Sequence, residues 1–166
     1  PGLARNSLAC PRRRCEKRIM TAAPDILCIG SVLWDVIGRA GRAMTLGADV
    51  PGRITRQPGG VAMNIAVALR QIGLRPALLT AIGTDAEGAE LMGACTRLGL
   101  ITEYVHRSGN LPTDRYMAVE DANGLIAAVA DAHSLEAVGR AILEPLSDGR
   151  LGRAEAPYRG AIALDG

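Results

Sequence analysis

The chain has 166 residues, 48% hydrophobic and 22% charged, the balance of a soluble globular domain long enough to bury a real core. No apolar run approaches the roughly 18–20 residues needed to span a bilayer, which excludes a membrane protein. The net charge of +2 conceals a split, because six of the 19 basic residues and one of the 17 acidic ones lie in residues 1–19, leaving 13 basic against 16 acidic beyond, so a basic nucleic-acid surface is not expected on the folded part.

Residues 1–19 start with Pro1, lack a hydrophobic period and carry Arg12-Arg13-Arg14. They read as a disordered basic extension, with a nucleic-acid tail or a targeting peptide as alternatives, and Met20 followed by Thr-Ala-Ala-Pro has the look of a natural start. Cys10, Cys15, Cys28 and Cys95 show neither metal-ligand spacing nor disulfide density. No metal site is expected, and Cys28 and Cys95 read as buried thiols of a reducing cytoplasm.

Asp25–Gly30 is a short apolar run closed by glycine, as in a central strand of a parallel sheet. Asp35 follows four residues after Ser31 and, on spacing alone, suits an ordinary turn or an N-cap, while Trp34 is expected to pack. From Val36 to Gln57 glycines and prolines interrupt two short β-like pieces, Val36-Ile37 and Arg53-Ile54-Thr55. The stretch Pro58–Ala66 joins Gly59-Gly60 to a helix start. Two glycines let a backbone approach a ligand, and the first amides of the helix carry partial positive charge, so the corner suits an oxygen-rich ligand, or is simply a tight turn. Val61, Ile65, Ala68/Leu69 and Ile72 mark the helix and Gly73 stops it. Asn64, one turn in, has an amide that can donate to and accept from a sugar hydroxyl.

Ala77–Gly83 repeats the pattern of an apolar strand ended by glycine. Thr84 is expected to cap a second helix with Asp85 and Glu87 in its first turn and Leu91, Met92, Cys95 and Leu98 on one face. Alternating strands and helices predict a parallel α/β sheet. Ile101–His106 reads as a strand and His106 as a surface residue. Thr113–Glu120 and Leu125–Ala130 flank Asn123-Gly124 and predict a hairpin. Ser134 is expected to cap a helix carrying Leu135, Val138, Ile142 and Leu146, residues 147–160 read as loop, and Ala161–Gly166 as another central strand.

The run Gly59-Gly60-Val61-Ala62-Met63-Asn64-Ile65-Ala66, separated by six residues from Gly73, which is separated by nine more from Gly83, resembles the N-terminal signature of the ribokinase-like (phosphofructokinase-B type) carbohydrate kinases. Within that family, Pro51–Val61 resembles the pseudouridine kinases most. The resemblance implies an α/β, ribokinase-like three-layer domain with a mostly parallel central sheet and a small β-sheet lid, truncated, with residues 20–166 as its N-terminal part and lid pieces at about 33–57 and 113–131. It implies a cytoplasmic ATP- and Mg2+-dependent kinase that phosphorylates the 5′-hydroxyl of a ribosyl compound such as pseudouridine, with no nucleic-acid or membrane partner and with a homodimer through the lid as a further possibility. Asp35, Gly59, Gly60 and Asn64 would hold the sugar. Arg115, Tyr116 and Asp131 would either meet the remote part of the substrate or be exposed hairpin residues. Val61 stands where ribokinases carry lysine, and Met63 where pseudouridine kinases carry arginine. The family's catalytic base lies in a later Gly-Ala-Gly-Asp motif that this sequence lacks, so the chain is expected to hold the acceptor half of the enzyme and to be inactive alone. A non-catalytic sugar-binding or lid-dimerising module is the alternative.

Overall fold

Short apolar runs that end on glycine or a polar residue build the central sheet, and longer, more polar runs build a second one. The computed structural model describes residues 23–165, so the basic extension, Cys10, Cys15, Met20 and Gly166 lie outside the described residues. In chain order the described elements are β1 (Ile26–Ile29), β2 (Leu33–Ala40), β3 (Gly52–Gly59), α1 (Val61–Gln71), β4 (Pro76–Leu79), β5 (Ala81–Gly83), α2 (Ala86–Arg97), β6 (His106–Ser108), β7 (Arg115–Asp121), β8 (Gly124–Asp131), α3 (His133–Val138), a 3-10 helix (Gly139–Leu146) and β9 (Ala161–Leu164).

β1 lies between β4 and β9, parallel to both. Strand alternation sends Cys28 and Leu78 to one face and Leu27, Ile29, Ala77 and Leu79 to the other. The first face meets Met63 and Ala66 of α1 and Leu91 and Cys95 of α2. The second meets Tyr104, Ile142, Leu135 and Val138. The result is a three-layer α/β fold, in which each buried Leu or Ile contributes about 1.5–3 kcal/mol.

α1 turns a different face inward from the one its large residues suggest. Ala62, Met63 and Ala66 are buried, whereas Val61 and Ile72 are 50% and 75% exposed. Small alanines let the helix axis come close to the sheet, and the bulkier Ile65 and Leu69 fill the flanks.

The expected strand Ala77–Gly83 breaks at Thr80. β4 pairs with β1, β5 pairs with β6, and the Thr80 carbonyl accepts from the His106 amide (2.9 Å). The strand expected over Ile101–His106 is instead one bridge from Ile101 to Ala77, a turn that buries Tyr104 and Val105, and then β6.

Helix caps also differ from expectation. Asp85, not Thr84, caps α2, its carboxylate accepting from the Gly88 amide at 2.7 Å. Ser134 lies inside α3, whose N-cap is Ala132, and the carboxylate of Asp114 accepts from the Ser134 and Leu135 amides at 3.0 and 3.2 Å. The expected third helix stops at Val138 and continues as the 3-10 helix, which contains Pro145.

The second sheet has the order β3-β2-β7-β8, antiparallel at both ends and parallel between β2 and β7. The two short pieces expected near Val36 and Ile54 are each part of an eight-residue strand. The β7–β8 hairpin forms, but Asp121 pairs with Gly124, so its turn residues are Ala122 and Asn123 rather than Asn123-Gly124. Gly124 absorbs the twist at φ 116°.

Candidate functional site

The end of β1, the start of β2, the end of β3 and the start of α1 meet at one corner. Gly60, the residue between β3 and α1, has φ 95° and ψ 153° and offers α1 no side-chain cap. Its role passes to Ser31, whose hydroxyl accepts from the Val61 amide (2.9 Å) and whose carbonyl accepts from the Met63 amide (3.3 Å). A side chain at position 60 would run into the Ser31 carbonyl.

Asp35 stands on β2, two residues along the same face from Leu33, the partner of Gly59. Its carboxylate rests on Gly59 so closely that a Cβ there would overlap it. Burial raises the Asp35 pKa. Among the described residues no hydrogen-bond donor or cation partners its oxygens. A partly buried carboxylate with open acceptor sites is suited to a ligand that brings its own donors. Asn64 is exposed one turn into α1, with its amide nitrogen bonded to the Gly60 carbonyl at 2.9 Å.

The structure therefore brings Asp35, Gly59, Gly60 and Asn64 together. Tyr116 is the β7 partner of Asp35 and shares its face. Arg115 pairs in register with Trp34 on one side and Asp131 on the other, which puts these three on the opposite face. There Arg115 meets Glu87 of α2 at 3.0 Å, and Asp131 meets His133 at 3.1 Å. Neither reaches the Asp35 face. Met63 is 1% exposed, its sulfur 3.9 Å from that of Cys95, and so belongs to the core rather than to a ligand surface. Burial pushes the Cys28 and Cys95 thiols up to about 11, so both stay protonated and unreactive near neutrality.

Two residues of this corner carry no sequence signal of their role. Ser31 is visible only as the residue after a strand-ending glycine. Asp165 follows the last apolar run, yet its Oδ2 accepts from the amide and hydroxyl of Ser31, 134 residues away. Beneath the second sheet, Trp34 donates its indole N–H to the Glu87 carbonyl (3.1 Å), and Arg56 lies 4.2 Å over its ring while pairing with Glu90.

Among the described residues no three His, Cys, Asp or Glu side chains converge as a metal site, and no helix is long and apolar enough to cross a membrane.

A family model described as pfkB family carbohydrate kinase matches residues 23–144. The chain is 31% identical over 117 residues to a pseudouridine kinase of Escherichia coli (strain K12), covering 68% of this chain and 36% of that protein. It is 29% identical over 100 residues to a pseudouridine kinase of Arabidopsis thaliana, covering 60% and 26%. The chain thus spans between about a quarter and a third of the length of these curated relatives. The solved structure of Arabidopsis thaliana ribokinase complexed with ribose and ATP matches the fold with a TM-score of 0.55, at 20% identity, over 66% of this chain and 36% of that one.

Proposed function

The chain belongs to the pfkB family of carbohydrate kinases, and from that premise we propose that its glycine corner holds the acceptor of an ATP-dependent kinase acting on a ribosyl 5′-hydroxyl, with pseudouridine as the nucleoside. The observation that carries this reading is the Asp35 carboxylate, partly buried, without a hydrogen-bond donor or cation among the described residues, and packed directly on Gly59. Two oxygens on one carboxylate accept from two neighbouring sugar hydroxyls. The Asn64 amide reads a third, and the Tyr116 hydroxyl lies along the same face. The two pseudouridine kinases among the relatives support the choice of nucleoside, and Val61 in place of a lysine speaks against free ribose.

The residues described here do not fit the phosphate donor. Ser31 already occupies the Val61 and Met63 amides, so the start of α1 is not a triphosphate cradle, and no acidic cluster is placed to hold Mg2+. The part of the reaction argued for these residues is acceptor binding and orientation, which brings the hydroxyl to a fixed place and so lowers the entropic cost of the encounter.

Coupled ATP turnover by the product of the gene tests the proposal against pseudouridine, uridine, inosine, ribose and fructose 6-phosphate. Pseudouridine is expected to turn over fastest, and parity with the others would remove the substrate assignment. Uptake of nucleoside in a calorimeter with no phosphorylated product would favour a binding module instead. One observation favours a further role for the second sheet: Ile54, Met117 and Val129 share a face and are 76%, 51% and 61% exposed, a row that a second copy of the chain would cover. Sedimentation of the Met117→Lys variant as a monomer and of the parent as a dimer would support it.

A further inference from the structure

We infer that Asp165 is a positioning residue which, through Ser31, fixes the start of α1 and with it the glycine corner. The functional consequence rests on the acceptor reading given above. A hydroxyl has one proton and two lone pairs. The Ser31 proton goes to Asp165 Oδ2 at 2.5 Å, a short bond as expected for a hydroxyl on a carboxylate. With the proton committed there, a lone pair faces the Val61 amide at 2.9 Å.

The Ser31 backbone is used in the same two directions. Its N–H donates to the same carboxylate oxygen at 3.0 Å, and its carbonyl accepts from Met63. Ser31 thus supplies two of the acceptors that the opening turn of α1 needs, in place of the side chain that Gly60 lacks. Asp165 is itself held, its amide donating to the Ile29 carbonyl at 2.9 Å, and its side chain lies over Gly30, where any Cβ would overlap it. The end of β9 is in this way tied through Ser31 to Val61 and Met63, and Gly60 packs on the Ser31 carbonyl. Moving Ser31 moves the floor on which the sugar would rest.

Amide hydrogen exchange followed by NMR on the full chain tests the relay. In Asp165→Ala the amides of Ser31, Val61 and Met63 are expected to exchange about tenfold faster, while Ala89 of α2 and Leu98 at its C-cap keep their rates. Asp165→Asn retains an oxygen for both Ser31 donors and should restore most of the protection. In calorimetry with pseudouridine, Asp165→Ala and Ser31→Ala should each weaken binding about tenfold, and the double variant should lose clearly less than the product of the two factors, the signature of coupled residues. Unchanged exchange at Val61 and Met63 in Asp165→Ala, or additive losses of affinity, would overturn the inference. Should Asp165→Ala fail to fold, Ser31→Ala reads the link from its other end: Val61 must exchange faster while the Ser31-position amide, still bonded to Asp165, stays protected, and the reverse pattern refutes the relay. A parent protein that takes up no nucleoside while these amides respond as stated would refute the acceptor reading and leave the relay standing.

Discussion

At position 59 a single methyl group decides between an open and a blocked corner. Gly59→Ala places a Cβ against the Asp35 carboxylate, and the overpacking is expected to cost about 1–3 kcal/mol while abolishing nucleoside uptake in calorimetry. Under the acceptor proposal, Asp35 sets stability and sugar binding in opposite senses. Its pKa is raised in the fold because burial disfavours the charge, so the protein is relatively most stable below the ordinary aspartate pKa and loses that increment as pH rises through the raised one. Asp35→Asn should therefore hold or raise the denaturation midpoint at pH 7 and lose that advantage in acid, while nucleoside affinity falls at every pH. A lower midpoint at pH 7 than in the parent would contradict this. Gly59, Gly60 and Asn64 were legible as a strand-to-helix corner, a special backbone followed by a polar group one turn on, whereas Asp35 suited an ordinary turn or an N-cap on spacing alone, was singled out only by the family resemblance, and lies within β2. Ser31 and Asp165 were not legible, since their link spans 134 residues and leaves no mark on either neighbourhood.

Elements here are fixed by side chains borrowed from elsewhere in the chain. Asp85 caps α2 and also accepts from the Thr113 amide and hydroxyl, at 2.8 and 2.5 Å. Burial works to raise its pKa, but the hydrogen bonds from Thr113 and Gly88 and the charge of Arg115 hold it below the usual value. Its contribution is present above the ordinary aspartate pKa and fades as pH falls through the lowered one. Asp85→Ala is expected to cost about 1–3 kcal/mol at pH 7 in urea unfolding, less toward acid. The same shared use explains why caps were misread from sequence: Thr84 and Ser134 have the composition of caps, yet Asp85 and Asp114 win because a carboxylate can serve two partners at once. Likewise α1 was recognisable as a helix, but its inward face was not, because close approach to the sheet favours Ala62 and Ala66 over the larger Val61 and Ile72. Arg56, Trp34, Glu87, Glu90 and Arg115 join the second sheet to α2. These pairs are exposed, so Arg56→Ala should lower stability by no more than about 1 kcal/mol, yet it should shift the emission of the single tryptophan, and an unchanged spectrum would argue against the stacked geometry.

Taken whole, the molecule is a parallel sheet with helices on both faces and a second, mixed sheet beside it. The parallel core was legible from apolar runs ended by glycine. Periodicity alone did not join the second sheet into one body, since six of the eight residues of β3 are exposed and its pattern is set by pairing rather than by burial; the family resemblance was what grouped the pieces at about 33–57 and 113–131, and β3-β2-β7-β8 fall within them. The pairing of β2 with β7 has a kinetic corollary. Arg39 and Glu120, which bond across that seam, are 81 residues apart, and closing so wide a loop is slow unless the chain between has already collapsed. The central layers must then form first and deliver the two strands to each other. In refolding from urea, tryptophan fluorescence, which reports the seam through Trp34, is expected to recover after far-ultraviolet circular dichroism, and simultaneous recovery of the two signals would mean that the seam nucleates with the core. A protein assembled in that order completes the Asp35 face of its second sheet as the last act of becoming native, so under the acceptor proposal whatever strains that face should be felt by the sugar before it is felt by the fold.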